Sequence, residues 1–420
     1  MENTQNLTTP IAFSWWTTKC RKALFSVLND MQQAYIEIHE GKDIHRLGNS
    51  QAQLCANISV LDPSLYSDVI KNGSIGAAEA YIAHKWSSPN LTKVIQVFAR
   101  QQQQLDKLES SRPWLNKIKN GLFHLRNRNS EQGSKKNILA HYDLSNHLYS
   151  QFLDSSMTYS SAIYADQASN LEQAQQNKLN IICEKLALSA DDHLIEIGTG
   201  WGGLAIYAAS HYGCRVTTTT ISNAQYDYAV EQVKRLGLQE RITLLKQDYR
   251  TLEGQYDKLV SIEMIEAVGH EYMPEFFKKC HSLLKDSGKM LIQAITIADS
   301  RYDQYRNSVD FIQRYIFPGG CLPSINVMAK HIAQQTDMVV ESVSDIGLHY
   351  ARTLHDWRVA FDKNWVNLNK EHFDQQFKRL WDFYLCYCEG AFMERVISTH
   401  HVVARKPLYL GQDDARILAY

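Results

Sequence analysis

Nowhere does this 420-residue chain run for about 18 apolar residues without a charge, so no segment reads as a membrane-spanning helix and any membrane contact is expected to be peripheral. Residues 11–16 make only a short apolar run, closed at once by Lys19, Arg21 and Lys22; the N-terminus therefore reads as carrying no signal peptide. Paired cysteine spacings are missing too. The eight cysteines are scattered, only Cys386 and Cys388 lie close, and no CxxC occurs, which argues against a zinc ribbon and no metal is expected. Reduced thiols in a cytoplasmic protein fit this usage. An excess of one charge is also absent. Lys and Arg number 44 against 45 Asp and Glu, a formal net charge of −1, so a globally basic nucleic-acid binder is excluded. There is no internal repeat and no low-complexity run.

What is present is the composition of a large globular protein. Hydrophobic residues are 44% and charged residues 21%, and the length suits two or three domains. The chain is rich in rings, with 22 Tyr, 14 Phe and 8 Trp. Composition alone assigns these to a large aromatic core.

Three regions separate. Residues 1–110 read as a small α+β unit: 34–40 as the end of a helix, 53–60 as a strand, and 65–70 and 77–84 as short helices divided by the turn at Asn72-Gly73. Residues 111–136 differ in charge. Arg112, Lys117, Lys119, Arg126, Arg128, Lys135 and Lys136 stand against the single acid Glu131. Trp114, Ile118, Leu122 and Leu125 recur at helical spacing. Such a basic amphipathic segment suits an anionic lipid surface, or else is a linker with a solvated charged face. From 137 to 420 strands and helices alternate, which predicts a parallel sheet with right-handed crossovers. Predicted strands cover 193–198, 214–221, 242–246, 258–263, 289–296 and 401–405. Predicted helices cover 174–188, 204–211, 224–236, 273–284 and 310–317, with a mostly helical, aromatic insertion near 352–396.

The most informative segment runs from Leu194 to Gly203, Leu-Ile-Glu-Ile-Gly-Thr-Gly-Trp-Gly-Gly. A strand enters a glycine turn, and glycines let a ligand approach the backbone. Gly198, Gly200 and Gly203 satisfy GxGxxG, so a dinucleotide is one reading. That reading wants an acid at the end of the second strand to hold the ribose. Here that end is Thr217-Thr218-Thr219-Thr220-Ile221-Ser222, and the next acid is Asp227. Glu196, two residues before the first glycine, instead matches the ExGxG loop of class I methyltransferases, which faces the amino-acid end of S-adenosylmethionine. Asp248 and Tyr249 follow the third strand, where an adenine edge is bound in that class.

Further motifs carry a family resemblance. His141-Tyr142-Asp143-Leu144-Ser145-Asn146, Tyr159-Ser160-Ser161-Ala162, the 197–203 loop, Glu263-Met264-Ile265-Glu266-Ala267-Val268-Gly269-His270, the 315–324 segment and His349-Tyr350-Ala351-Arg352-Thr353-Leu354 together resemble the cyclopropane-fatty-acyl-phospholipid synthase family. They occur in family order over about 135–405. The N-terminal block is similar more loosely, around Gly73-Ser74-Ile75-Gly76 and Glu79-Ala80-Tyr81, to the small lipid-handling domain of bacterial synthases. The fold implied is α/β: a doubly wound, mostly parallel seven-stranded sheet of the class I methyltransferase type with a helical lid, beside the small α+β domain. The activity implied is methyl transfer from S-adenosylmethionine to the cis double bond of a phospholipid acyl chain. The chain cation is then closed to a cyclopropane as a bound bicarbonate removes a proton. The nucleophile is an alkene, so no Ser, Cys or Lys needs activating. A dry site with aromatic faces and a nearby negative charge would stabilise the cation.

The resemblance assigns Glu266, with Tyr350, Ser161, Gln293 and the backbone of Ile295, to the bicarbonate and reaction centre. It assigns Tyr159, Ser160, Glu196, Gly198, Gly200, Thr220, Ser222, Gln225, Asp248 and Tyr249 to the co-substrate. Two positions depart from the family: Ser161 replaces a common cysteine and Gln293 a common histidine. Both can donate hydrogen bonds to the anion, and neither titrates near pH 7. The resemblance further implies a homodimer and a peripheral place on the inner leaflet of the cytoplasmic membrane, with unsaturated phospholipids as partners and no nucleic acid. C-methylation giving a methylene- or methyl-branched chain is the rival reading. A non-catalytic lipid-binding protein is a remoter one.

Overall fold

The computed structural model describes residues 13–101, 146–369 and 371–411; the basic segment 111–136 and the motif residues His141 to Ser145 lie outside them. The chain divides into two compact units. The first takes the described residues of Met1–Lys119 together with Asp310–Arg314 and Leu368–Val396, and the second takes the rest. The eight cysteines are free thiols.

In the first unit, helix α1 (Trp15–Asn29) precedes strands β1 (Ala34–Glu40), β2 (Asp43–Gly48) and β3 (Leu54–Val60). Helix α2 (Leu65–Ile82), the short β4 (Trp86–Ser87) and α3 (Leu91–Arg100) follow. The sheet order is β2-β1-β3-β4. Residues 34–40 are therefore a strand and not the end of a helix. Ala34, Ile36 and Ile38 face inward while Tyr35, Glu37 and His39 are only partly covered, a period of two that a strand satisfies and a helix does not. The two short helices expected over 65–84 are one element broken at Gly73 (φ 58°). The break brings Gly76 against the carbonyl of Asp68, where a Cβ would stand 2.1 Å from the oxygen.

The second unit carries a seven-stranded sheet of β5 (His193–Ile197), β6 (Arg215–Thr219), β7 (Ile242–Leu245), β8 (Tyr256–Ile262), β9 (Leu284–Ile297), β10 (Val339–Asp345) and β11 (Ile397–Arg405). Its order is β10-β11-β9-β8-β5-β6-β7. β5 pairs in parallel with both β6 and β8, and only β11 runs antiparallel to its neighbours. The order thus reverses between β5 and β8, where open α/β sheets bind ligands beyond the carboxyl ends of the strands. The helices are α4 (Asn146–Tyr149), α5 (Leu171–Leu186), α6 (Gly203–Tyr212), α7 (Asn223–Arg235), α8 (Met273–Ser282), α9 (Asp299–Tyr305), α10 (Ile325–Gln335) and α11 (Gly347–Asn364).

Both faces of this sheet are buried. Ile195, Leu259, Ile292 and Val402 pack on one side with Phe276 and Phe277. Their strand neighbours Leu194, Val260, Leu291 and Val403 pack on the other with Leu179, Ile182 and Ala205. Burial on both faces is the rule for a parallel sheet covered by crossover helices. Residues 352–396 divide between the units. α11 remains with the sheet, whereas α12 (Gln375–Met393) belongs to the first unit. There Thr92 donates to Glu389 (3.0 Å), and the Arg379 guanidinium reaches the Tyr81 and Trp86 carbonyls.

Candidate active site

Three parallel strands end side by side and deliver the first half of the site. After β5 the chain turns through Gly198, Gly200 and Gly202 at φ of 104°, 53° and 93°. A side chain there would be strained, and at Gly200 a Cβ would meet nothing within 4 Å. The loop thus leaves open space above its backbone, the shape an approaching ligand requires. Glu196 is buried and accepts from Thr218 Oγ1 (2.6 Å), which also meets Thr199 Oγ1 (2.8 Å). Burial raises its carboxyl to about 8. After β6, Thr220 donates to Gln225 Oε1 (2.8 Å) and Ser222 caps α7. After β7, both oxygens of Asp248 are gripped by the Arg250 guanidinium (2.9 and 2.7 Å), and Tyr249 packs edge-on against Phe276.

The wall beside the glycine loop is aromatic. Trp201 lies 4.9 Å from Tyr149, Tyr149 lies 5.1 Å from Tyr159, and Tyr159 stacks on Trp357 at 5.2 Å. Trp357 meets Tyr350 edge-on at 6.0 Å. Tyr350 reaches this place because α11 buries positions 347, 350, 354, 357 and 361, one stripe at helical spacing. Ser160, also buried, accepts from Lys178 Nζ at 2.8 Å. Lys178 is almost wholly buried, and desolvation lowers its ammonium to about 8.

The second half follows β8. Gly198 and Met264 are close enough that a Cβ on the glycine would lie 3.3 Å from that of Met264, so the two strand-end loops touch. Ser161, Gln293 and Tyr350, three residues that the sequence singles out, converge on one side chain that it does not: Glu263. Its Oε1 accepts from Gln293 Nε2 (2.7 Å) and from the Ser161 backbone N–H (3.0 Å), and its Oε2 accepts from the Tyr350 hydroxyl (2.7 Å). The Ser161 hydroxyl itself turns away to the Ala162 carbonyl. Glu263 is held at φ 49°, a left-handed conformation that costs a non-glycine residue about 1–2 kcal/mol. Strain of this kind persists where the surroundings over-determine it. Burial raises the Glu263 carboxyl, and the three donors with Lys178 oppose the rise.

Glu266, one turn further on, accepts from the Ile295 backbone N–H (2.5 Å). Its Oε2 is buried with no hydrogen-bond partner among the described residues. Burial and the Glu263 charge push its carboxyl up to about 8. Behind Gln293 stands His401. Its Nε2 meets Gln293 Oε1 at 2.9 Å and its Nδ1 meets Lys185 Nζ at 3.2 Å. The lysine can only donate, so Nδ1 accepts, Nε2–H donates, and the Gln293 amide must turn its NH₂ toward Glu263. Burial, aided by Lys185 and Lys178, lowers the His401 imidazole to about 3.

The donors that the resemblance assigns to bicarbonate are thus turned to the two glutamates. Ser161 N–H, Gln293 and Tyr350 hold Glu263, and Ile295 N–H holds Glu266. A separate anion would find the second Gln293 N–H but would meet the Glu263 carboxylate, which already takes the other donors. In this arrangement Glu263, and not a separate anion, takes the donors that the resemblance assigns to bicarbonate.

Fold and site together define an S-adenosylmethionine-dependent methyltransferase of class I. The profile of the mycolic acid cyclopropane synthetase family matches residues 129–402, and the chain belongs to that family. It is 37% identical over 337 residues to the tuberculostearic acid methyltransferase UfaA1 of Mycobacterium tuberculosis, covering 79% of this chain and 78% of the relative. It is 35% identical over 361 residues to the cyclopropane-fatty-acyl-phospholipid synthase of Escherichia coli K12, covering 86% and 91%. Among solved structures, the mycolic acid cyclopropane synthase CmaA1 complexed with SAH and CTAB aligns with TM-score 0.58 and 28% identity, over 65% of this chain and 98% of that one. Glu263, Lys178 and His401 are the residues that sequence reasoning did not select. For Glu263 a signal was present, a second carboxylate three residues before Glu266 at the end of the fourth strand.

Proposed function

We propose that this protein methylates the cis double bond of an unsaturated acyl chain carried by a phospholipid, and that the product is a cyclopropane ring. One observation carries the reading: a carboxylate cradled by three donors lies between the glycine loop and an aromatic wall. Bound S-adenosylmethionine supplies the electrophilic methyl. The glycine loop, Thr220, Ser222, Gln225, Tyr159 and Ser160 would hold it, with Asp248 and Tyr249 toward the adenine. The aromatic rings exclude water and offer π faces to the cation that forms when the alkene takes the methyl. Glu263 supplies the opposing charge. Bicarbonate has no part in this reading because Glu263 takes the donors it would need. Among the described residues no helix is long and apolar enough to cross a membrane, which suits a peripheral enzyme that meets its lipid at the inner leaflet.

The relative named as a tuberculostearic acid methyltransferase favours a second product from the same first step, a methylene- or methyl-branched chain. Incubation with S-adenosylmethionine and vesicles of an unsaturated phospholipid, followed by product NMR, separates them. Cyclopropane proton signals are expected. A vinylidene or branched-methyl signal without them supports the second product, and no methyl incorporation into lipid overturns both.

A further inference from the structure

We infer that Glu263 is the reaction's own base, a carboxylate built into the chain where the family resemblance places a bound bicarbonate, so that turnover needs no external anion. The inference rests on the proposed alkene methylation and goes beyond it in naming the proton acceptor.

Three independent observations carry it. Three donors converge on Glu263: Ser161 N–H and Gln293 on Oε1, Tyr350 on Oε2. The backbone at Glu263 is left-handed, where glycine would sit without strain and glutamate does not, so the carboxylate is held against a conformational cost. And the Gln293 amide is oriented for this acceptor by a buried relay, Lys185 to His401 to Gln293.

The two oxygens differ in capacity. Oε1 takes two hydrogen bonds and is saturated, whereas Oε2 takes one and keeps a lone pair. Glu263 is not fully covered by its neighbours, so that lone pair can meet substrate. Oε2 is the atom assigned to the proton. Glu266 is the less suitable base, because only the Ile295 N–H stabilises its charge, against three donors on Glu263.

The step balances. The alkene π pair forms a bond to the methyl carbon, and the sulfonium sulfur keeps the departing pair and becomes a neutral thioether. The second alkene carbon is left cationic. Glu263 Oε2 then takes one proton from the new methyl group, and the freed C–H pair forms the second carbon–carbon bond that closes the ring. Glu263 ends as a neutral acid and returns its proton to solvent before the next turnover. Tyr350 and Gln293 are positioning residues that fix the carboxylate.

The test compares the full-length wild type with Glu263→Gly and Glu263→Gln in buffer stripped of carbon dioxide, with and without millimolar bicarbonate. Two readouts are taken: methyl transfer to unsaturated-phospholipid vesicles, and the line width of ¹³C-bicarbonate in NMR. The wild type is expected to turn over at the same rate in both buffers and to leave the line width unchanged. Glu263→Gln, nearly isosteric, is expected to bind S-adenosylmethionine in calorimetry yet lose at least about a hundredfold in rate. Glu263→Gly is expected to broaden the bicarbonate line and to regain rate when bicarbonate or acetate is added. A wild type that stops on depletion and recovers with bicarbonate overturns the inference, as does a folded Glu263→Gln at wild-type rate. A wild type that methylates no unsaturated lipid overturns the proposed function instead. The line width still decides Glu263 in that case, since broadening by the wild type means that an external anion occupies the site.

Discussion

A carboxyl beside another carboxyl in a low-dielectric site cannot share its ionisation freely. Burial raises both, and three donors hold the Glu263 charge whereas only the Ile295 N–H holds that of Glu266. The ordinary Glu266 value of 4.5 is raised to about 8 by burial and by the Glu263 charge. The folded state therefore holds a proton that the unfolded state releases between about pH 4.5 and pH 8, and stability falls as pH rises through that window. Glu266→Gln carries a neutral amide at every pH and still accepts from Ile295 N–H. Its melting temperature is expected to match or trail the wild type near pH 5 and to exceed it by a few degrees near pH 8. Parallel loss of stability in both proteins from pH 5 to pH 8 would show that Glu266 is ionised throughout. At this scale the sequence marked most of the ring of donors but not their acceptor. Motif matching selects the side chains that resemble a known set. The left-handed backbone at Glu263 and the convergence of Ser161, Gln293 and Tyr350 on it exist only once β8, β9 and α11 are assembled.

Elements were legible where burial leaves a periodic trace. β5, β8 and the core of β9 carry apolar residues on both faces, β6 is a buried β-branched run of Val and Thr, and the helices between them carry apolar stripes, so their succession along the chain is legible from pattern. β10 left no such trace, because it is an edge strand of mostly exposed residues, and it was not expected. β1 was misread although its alternation of Ala34, Ile36 and Ile38 was visible, because helix-compatible residues lead into it. α11 matters most for chemistry, since it aims Tyr350 at Glu263. Its first residue, Gly347, lies so close to β11 that a Cβ would fall 2.1 Å from Ser398 Oγ and 3.1 Å from the Ser398 Cα. Gly347→Ala must turn the Ser398 hydroxyl off Asp345 and move the start of α11, three residues before Tyr350, by some tenths of an ångström. The expected result is a drop of roughly tenfold or more in turnover, since misplacement of an acceptor's partner is costly, with S-adenosylmethionine affinity nearly unchanged because the glycine loop sits on other strands. An equal loss in affinity and turnover would mean that the substitution disorders the sheet unit as a whole.

At the scale of the whole molecule the chain builds its first unit from three separate stretches, with α12 returning to it after the sheet is nearly complete. Nothing in composition announces that return. The aromatic run of α12 reads equally well as cover for the sheet, and only its bonds to Thr92, Tyr81 and Trp86 assign it. What composition does announce is segment 112–136, where seven basic residues face one acid. An enzyme acting on chains within a bilayer must hold its site at the surface long enough for a lipid to enter, and a net charge of −1 over the whole chain gives no general attraction to anionic lipid. A local net of +6 in that segment can supply it at about 1 kcal/mol per basic residue near the surface. Reversing two of these charges, Arg126→Glu with Arg128→Glu, is expected to weaken binding to anionic vesicles by tenfold or more. The loss should be greatest at low salt and shrink as ionic strength rises, because screening removes the wild type's advantage first. Turnover on detergent-dispersed unsaturated lipid should stay near the wild-type value, since the reversed residues lie outside the motifs that build the site. Unaltered sedimentation with vesicles would reduce the segment to a linker, and the enzyme's access to lipid would then have to come from another surface.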